Sequence, residues 1–151
     1  MALKPDRNQI DWDISRYMNE AAAAGGIASV STNGSGVAMD GAANVVTYAA
    51  NPSGKVVAGI LLGDIEVYPA KLERNFYRDS NPVNSKVALL TKGWVVTNMV
   101  YPGTTPTVGA VAYLGASGYL TPTQAAGAPV VGRFETSKDE NGYSKVSINI
   151  P

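Results

Sequence analysis

The chain contains no cysteine and no histidine. The first absence excludes disulfides and thiolate metal sites. The second removes the commonest general base and the commonest zinc ligand, so Ser–His–Asp and Cys–His mechanisms are excluded. There is no excess of either charge: 12 Lys and Arg stand against 12 Asp and Glu. A nucleic-acid binder shows a basic excess or stripe, so no nucleic-acid partner is expected. No apolar run approaches the roughly 20 residues of a membrane span. The start, MALKPDRNQIDWD, lacks the apolar core of a signal peptide. The expectation is a soluble chain made in a cytoplasm, with no membrane partner.

Charge is also locally scarce. Between Gly93 and Gly132 there is no Asp, Glu, Lys or Arg, and between Ala21 and Gly54 there is only Asp40. An ordinary solvated domain carries about one charge in four residues, whereas surfaces buried against partners are depleted of charge at their centre. The loops of the block, Pro102-Gly103-Thr104-Thr105-Pro106-Thr107 and Thr121-Pro122-Thr123-Gln124, are polar without charge, which points to a partner-facing surface.

Glycine and proline are plentiful, at 16 and 9 residues, and every Gly and all but one Pro lie after residue 24. Short Val/Ile/Leu/Tyr/Thr runs bounded by Gly, Pro, Asn and Ser clusters are the pattern of an all-β sandwich or barrel. Strands are expected at 27–31, 36–39, 44–49, 55–62, 65–68, 86–90, 94–99, 110–114, 119–121, 129–136 and 142–150. KVVAGILL at 55–62 is nearly all apolar and is expected to be buried on both faces. Thr91-Lys92-Gly93 reads as the link of a hairpin, with Gly93 at left-handed α. Trp94 and Val96 then face the core opposite Val87 and Leu89. Gly115-Ala116-Ser117-Gly118 is a second tight turn. Asp139-Glu140-Asn141-Gly142 is the turn before the last strand, whose Ser144, Val146, Ile148 and Ile150 point inward.

Residues 1–24 differ from the rest and read as an N-terminal arm ahead of a β-rich domain at 25–151. Seven of the 24 are charged. Ile10, Trp12 and Ile14 alternate with polar residues as in a strand. Ile14, Tyr17 and Met18 also fit one helical face, and both readings stay open. The arm either packs on its own domain or reaches a neighbouring subunit.

Chemistry-bearing clusters are sparse. Asp64 and Glu66 would share a strand face, as a glycosidase pair does, but such a pair more often marks a solvated face. Asp139, Glu140 and Asn141 are too few and too crowded for a calcium loop. Gly34-Ser35-Gly36 has no following helix to make a phosphate site. The segment 71–92 carries Lys71, Arg74, Arg78, Lys86 and Lys92 against Glu73 and Asp79, and reads as a solvated loop or docking rim. No catalytic, cofactor or metal residue is assigned.

Three stretches, KVALLTKGWVVTN (86–98), VGAVAYLGASGYLTPT (108–123) and VVGRFETSKDENGYSKVSINIP (130–151), resemble the small capsid cement or decoration proteins of tailed phages. The matching positions are Gly109, Tyr113, Leu114, Gly118 and Thr121, then Val131, Gly132, Arg133, Phe134 and Ser137. ALKPDRN, DISRYMNE and VTYAANPSGKVVAGILLGD extend the likeness through the first half. The resemblance implies a compact β-barrel-like or β-tulip-like body with an extended N-terminal arm and no enzymatic activity. It implies a homotrimer bound to the major capsid protein on the outer face of an icosahedral virion, cementing capsomer junctions against genome pressure. The contact residues expected on this reading are Lys4, Arg7, Trp12, Ile14, Tyr17 and Met18 of the arm, and Tyr101, Pro102, Thr104 and Thr105 of a loop. Deleting residues 1–18 is expected to leave a folded body that no longer binds capsids. The alternative is a β-rich tail or spike module that grips a carbohydrate through Trp94 or exposed tyrosines.

Overall fold

The computed structural model of the chain describes residues 3–4, 11–31, 45–64, 80–81 and 86–150. The expected strands at 36–39 and 65–68, with Glu66 and the basic residues Lys71, Arg74 and Arg78, lie outside these. The described residues are all-β, and their one helical element is a 3₁₀ turn at Ala116–Gly118.

Twelve strands follow in chain order: β1 (Leu3–Lys4), β2 (Asp11–Met18), β3 (Ala22–Ala23), β4 (Ile27–Val30), β5 (Val45–Thr47), β6 (Val57–Asp64), β7 (Ser80–Asn81), β8 (Lys86–Thr97), β9 (Val111–Leu114), β10 (Leu120–Thr121), β11 (Val130–Phe134) and β12 (Ser144–Asn149). Strands β8, β2, β5, β4 and β6 hydrogen-bond in that order, and β6 returns to β8, closing a five-stranded barrel. Closure removes the free edges that an open sheet exposes. All five strands send side chains to one cluster that includes Met18, Ala28, Val46, Leu61, Val87 and Leu89, the barrel interior.

The second half of β8 leaves the barrel and pairs with β12, from Lys92 opposite Asn149 to Thr97 opposite Ser144. β12, β11, β9 and β10 continue this sheet. It curls back onto the chain just past β8, where Leu120 N–H donates to Met99 O (2.8 Å) and Tyr101 N–H to Leu120 O (2.7 Å). Its inner face, with Leu114, Val131, Phe134, Val146 and Ile148, packs on Ile27, Ile60 and Leu90 from the barrel's outer wall. The expected two-sided burial of 55–62 holds for 58–61, where Ile60 enters one cluster and Leu61 the other, whereas Lys55 and Val56 precede the strand and are exposed.

The hairpin expected at 86–99 is absent. β8 runs unbroken for 12 residues, because partners on both sides hold it extended through Thr91-Lys92-Gly93. Gly93 has φ 139°, a conformation that only glycine adopts readily, and it sits where the strand changes lobes. Leu90 and Val95 enter the same cluster although an odd number of residues apart. Strict alternation would place them on opposite faces, so the strand bulges between them. The register against β2 slips at the same point, from Lys92 opposite Asp11 to Leu90 opposite Trp12. The bulge reverses the expected facing: Val95 and Thr97 are buried, and Trp94 is 41% exposed.

Two expected turns are present. The turn at 115–118 joins β9 to β10, with Leu114 opposite Leu120. In the last hairpin the Asp139 carboxylate accepts the N–H groups of Asn141 (2.9 Å) and Tyr143 (2.8 Å), so it serves the turn. Ser144, Val146 and Ile148 face inward, as the alternation requires.

The N-terminal segment is extended. Its described part packs on its own body: β2 is a barrel strand, paired antiparallel with β8 and parallel with β5. This settles 11–18 as strand rather than helix.

Candidate functional site

Three uncharged segments meet on one surface. Tyr48 organises the first. Its N–H donates to Glu20 Oε1 (2.7 Å), which also accepts from Thr47 Oγ1 (3.1 Å). Its hydroxyl accepts Gly26 N–H (3.1 Å) and donates to Ala23 O. Burial raises the phenol pKa well above its ordinary value, the Gly26 hydrogen bond opposes that rise, and the nearby Glu20 carboxylate adds to it. The ring lies against Gly118, where an added Cβ would fall 2.7 Å from Tyr48 Cδ1. One rigid tyrosine thus fixes the start of 49–54 and the turn at 115–118 together. Ser117 N–H donates to Ala49 O (2.8 Å), and Gly54 N–H donates to Gly127 O (3.0 Å), tying in the loop after β10. Tyr101 meets Tyr119 edge-to-face, with centroids 6.1 Å apart, a favoured aromatic geometry.

The result is a pocket of about 270 Å³ lined by Pro52, Tyr101, Gly115, Ala116, Thr121, Thr123, Gln124 and Ala125, none of them charged. The exposed large apolar side chains are unevenly distributed. Of the six among the described residues, five (Trp94, Tyr101, Val108, Val111 and Val130) fall in the charge-free stretch 93–132, and the sixth is Val56. Of these six, Tyr101 lines the pocket, and an exposed apolar ring against an uncharged lining marks a candidate interaction surface.

The residues expected to make contacts separate into two groups. Tyr101, Pro102, Thr104 and Thr105 form one turn, in which Thr104 N–H (3.2 Å) and Oγ1–H (2.7 Å) both donate to Tyr101 O. Tyr101, Pro102 and Thr105 are exposed there. In the arm, Lys4 lies in β1 opposite Val96, Trp12 and Ile14 lie in β2, and Arg7 is outside the described residues. Tyr17 is half-buried. Met18 is fully buried in the barrel interior and presents no surface to a partner. Its apolar body makes it a core anchor of β2. Pro52 joins the pocket from a segment that the sequence reading had not connected to the loop, although the scarcity of charge before Lys55 was visible.

A second depression lies on the outer face of the C-terminal sheet, between Trp94, Arg133, Glu135, Thr136, Lys145 and Ser147. Among the described residues no group of His, Cys, Asp or Glu side chains is placed to hold a metal ion, and no helix is long and apolar enough to cross a membrane. Asp64 ends β6 opposite Val87.

The described residues thus form a closed β-barrel with a packed second sheet and an uncharged pocket. The comparison with known families gives it an identity: the model of the structural cement protein family (E217 gp24/Pam3 gp6) matches residues 6–149. The chain belongs to this family of phage structural proteins, which places it with the capsid of the virion. No curated protein matches the chain.

Proposed function

We propose that the chain binds the outer surface of an icosahedral phage head as a homotrimer and cements capsomer junctions against the pressure of the packaged genome, without catalysing a reaction. The observation that carries this reading is the charge-free pocket and the exposed Tyr101 that lines it. Its partner is the major capsid protein. The N-terminal segment around Lys4, Arg7 and Trp12 is a second contact region. A cement protein needs a stiff body and several modest contacts. Joining contacts within one oligomer raises avidity by about 10²–10⁴ without tightening any single one, and closed cyclic symmetry uses one patch repeatedly.

The test is to add purified protein to heads that lack it. Decoration to a fixed stoichiometry, with heads that then survive osmotic shock or heating, is the expected result. The free protein should have a solution mass of three times 15.7 kDa. Protein that binds heads but leaves their rupture threshold unchanged would refute the cementing role, and a strict monomer in solution and on heads would refute the trimer.

A further inference from the structure

The depression around Trp94 shares no residue with the charge-free pocket, and the capsid contact proposed above does not use it. Trp94, Ser147, Arg133 and Val111 are successive cross-strand partners on β8, β12, β11 and β9. They form one row across the outer face of the sheet. Trp94 is 41% exposed, and its backbone is held by β12. The Lys145 Nζ lies 5.4 Å from the centroid of the Trp94 ring. Arg133 donates through Nε (3.2 Å) and Nη2 (2.9 Å) to Glu135 Oε1. Thr136 Oγ1 accepts Lys145 N–H (2.9 Å), which fixes the hydroxyl beside the lysine. The depression measures about 460 Å³.

We propose that this depression binds an acidic pyranose, a uronate-type unit of an anionic polysaccharide. A pyranose has one face of C–H groups and a rim of hydroxyls. An indole ring on a flat, rigid sheet matches the C–H face, and a few fixed polar groups give orientation. The forked Arg133–Glu135 pair supplies a donor and an acceptor at fixed separation for neighbouring hydroxyls. Two of the five guanidinium N–H groups are used on Glu135, which leaves others to donate. Among the described residues the lining carries two cations, Arg133 and Lys145, and one anion, Glu135. A sugar that covers the indole lies beside the Lys145 Nζ, where a carboxylate on the sugar gains a cationic neighbour and a neutral sugar does not. One aromatic ring and two cations are a poor match to a nucleic-acid strand, which needs repeated stacking platforms along a basic groove.

The test is a titration of the ¹⁵N-labelled full chain with tetragalacturonate, with cellotetraose and with a short single-stranded DNA, each to millimolar concentration. The indole N–H resonance of Trp94 should shift with tetragalacturonate, while that of Trp12 stays in place. Trp94→Ala should weaken binding about tenfold or more, while Trp94→Phe, which keeps a stacking ring, should retain it within about threefold. Lys145→Gln should remove the preference for tetragalacturonate over cellotetraose. Absence of any shift, or Trp94→Ala binding as tightly as the native chain, overturns the site. Equal response to cellotetraose overturns its acidic specificity, and equal response to DNA overturns its assignment to sugar. Trp94→Ala should decorate heads as the native chain does. Loss of decoration would assign this face to the capsid instead and overturn the proposal while leaving the cementing role intact.

Discussion

Replacing Ala125 by glutamate places a carboxylate at the rim of the charge-free pocket. Ala125 is exposed, so the free protein has no reason to lose stability: a surface substitution of this kind changes folding by about 0.5 kcal/mol or less. On the head the situation differs. None of the eight residues lining the pocket is charged, so the lining itself offers no cation to pair with a carboxylate sealed beneath a partner. The effective cost of burying an unpaired charge is several kcal/mol. Taking about 3 kcal/mol, the dissociation constant rises roughly 150-fold for a single contact, and more for an oligomer that repeats the contact. Ala125→Gln is the control of matching size. An unpaired amide costs about 1–3 kcal/mol, so its effect should be the smaller of the two. The assay is a binding isotherm of labelled protein on undecorated heads, with thermal melts of each free variant. A contact made without charge should also be insensitive to salt. Raising ionic strength from about 0.15 to 1 M shortens the Debye length from about 8 to 3 Å, and native binding should change by less than about twofold. If Ala125→Glu melts normally and decorates heads with native affinity, the surface does not face the capsid.

Gly132→Ala should cost about 3 kcal/mol or more of folding stability, because a Cβ there would lie 1.8 Å from Ser147 O and must push β11 away from β12; a denaturant midpoint equal to that of the native chain would refute the close approach. Tyr48→Phe should narrow its stability gap to the native chain as pH rises above about 10. The folded-state pKa is raised above the unfolded 10.0, so the native chain keeps this contribution below pH 10 and loses about 1.4 kcal/mol per pH unit above it, while the phenylalanine has no proton to lose. A gap that stays constant in urea titrations between pH 8 and 11 would show that the phenol is not shielded as described. Deleting residues 1–18 should abolish cooperative unfolding, because it removes a barrel strand and the buried Met18; a sharp two-state melt from the truncated chain would mean that the barrel does not need β2.

Features set by local sequence were legible, and those set by distant partners were not. The last hairpin is local: period-two alternation fixes its inward face, and Asp139 closes its turn through its own neighbours. The double burial of 58–61 could be inferred because nearly every residue of 55–62 is apolar, while the exposure of Val56 could not. The facing of Trp94 was not legible. Alternation from Leu90 onward puts it inside, and only the bulge near Gly93, imposed by β2 on one side and β12 on the other, turns it out. The same partners turn an apparent hairpin into one long strand. For the candidate site, the shortage of charge in 93–132 was plain in the composition. The joining of 49–54 to that block depends on Tyr48 reaching Ala23, Gly26 and Gly118, and no periodicity encodes such a contact.

The long strand also bears on why this fold suits the proposed role. A fastener must not yield before the joint that it spans. The two proposed contact regions attach to the same element: the loop beginning at Tyr101 follows β8 within four residues, and β1 lies beside Val96 and Thr97 of β8. Its N-terminal half is bonded on both sides, by β6 and β2, and its C-terminal half by β12 along its length and by β1 at Val96 and Thr97. Load entering at either region therefore passes into a strand with ladders on both flanks. Pulling that strand out requires many backbone hydrogen bonds to break together, and both hydrophobic clusters, which share β8 as a wall, to open at once. Local opening runs at low free energy only where a segment has few such ties. Two separately hinged domains would instead yield at the linker, so the shared strand is the feature that makes two small cores act as one body.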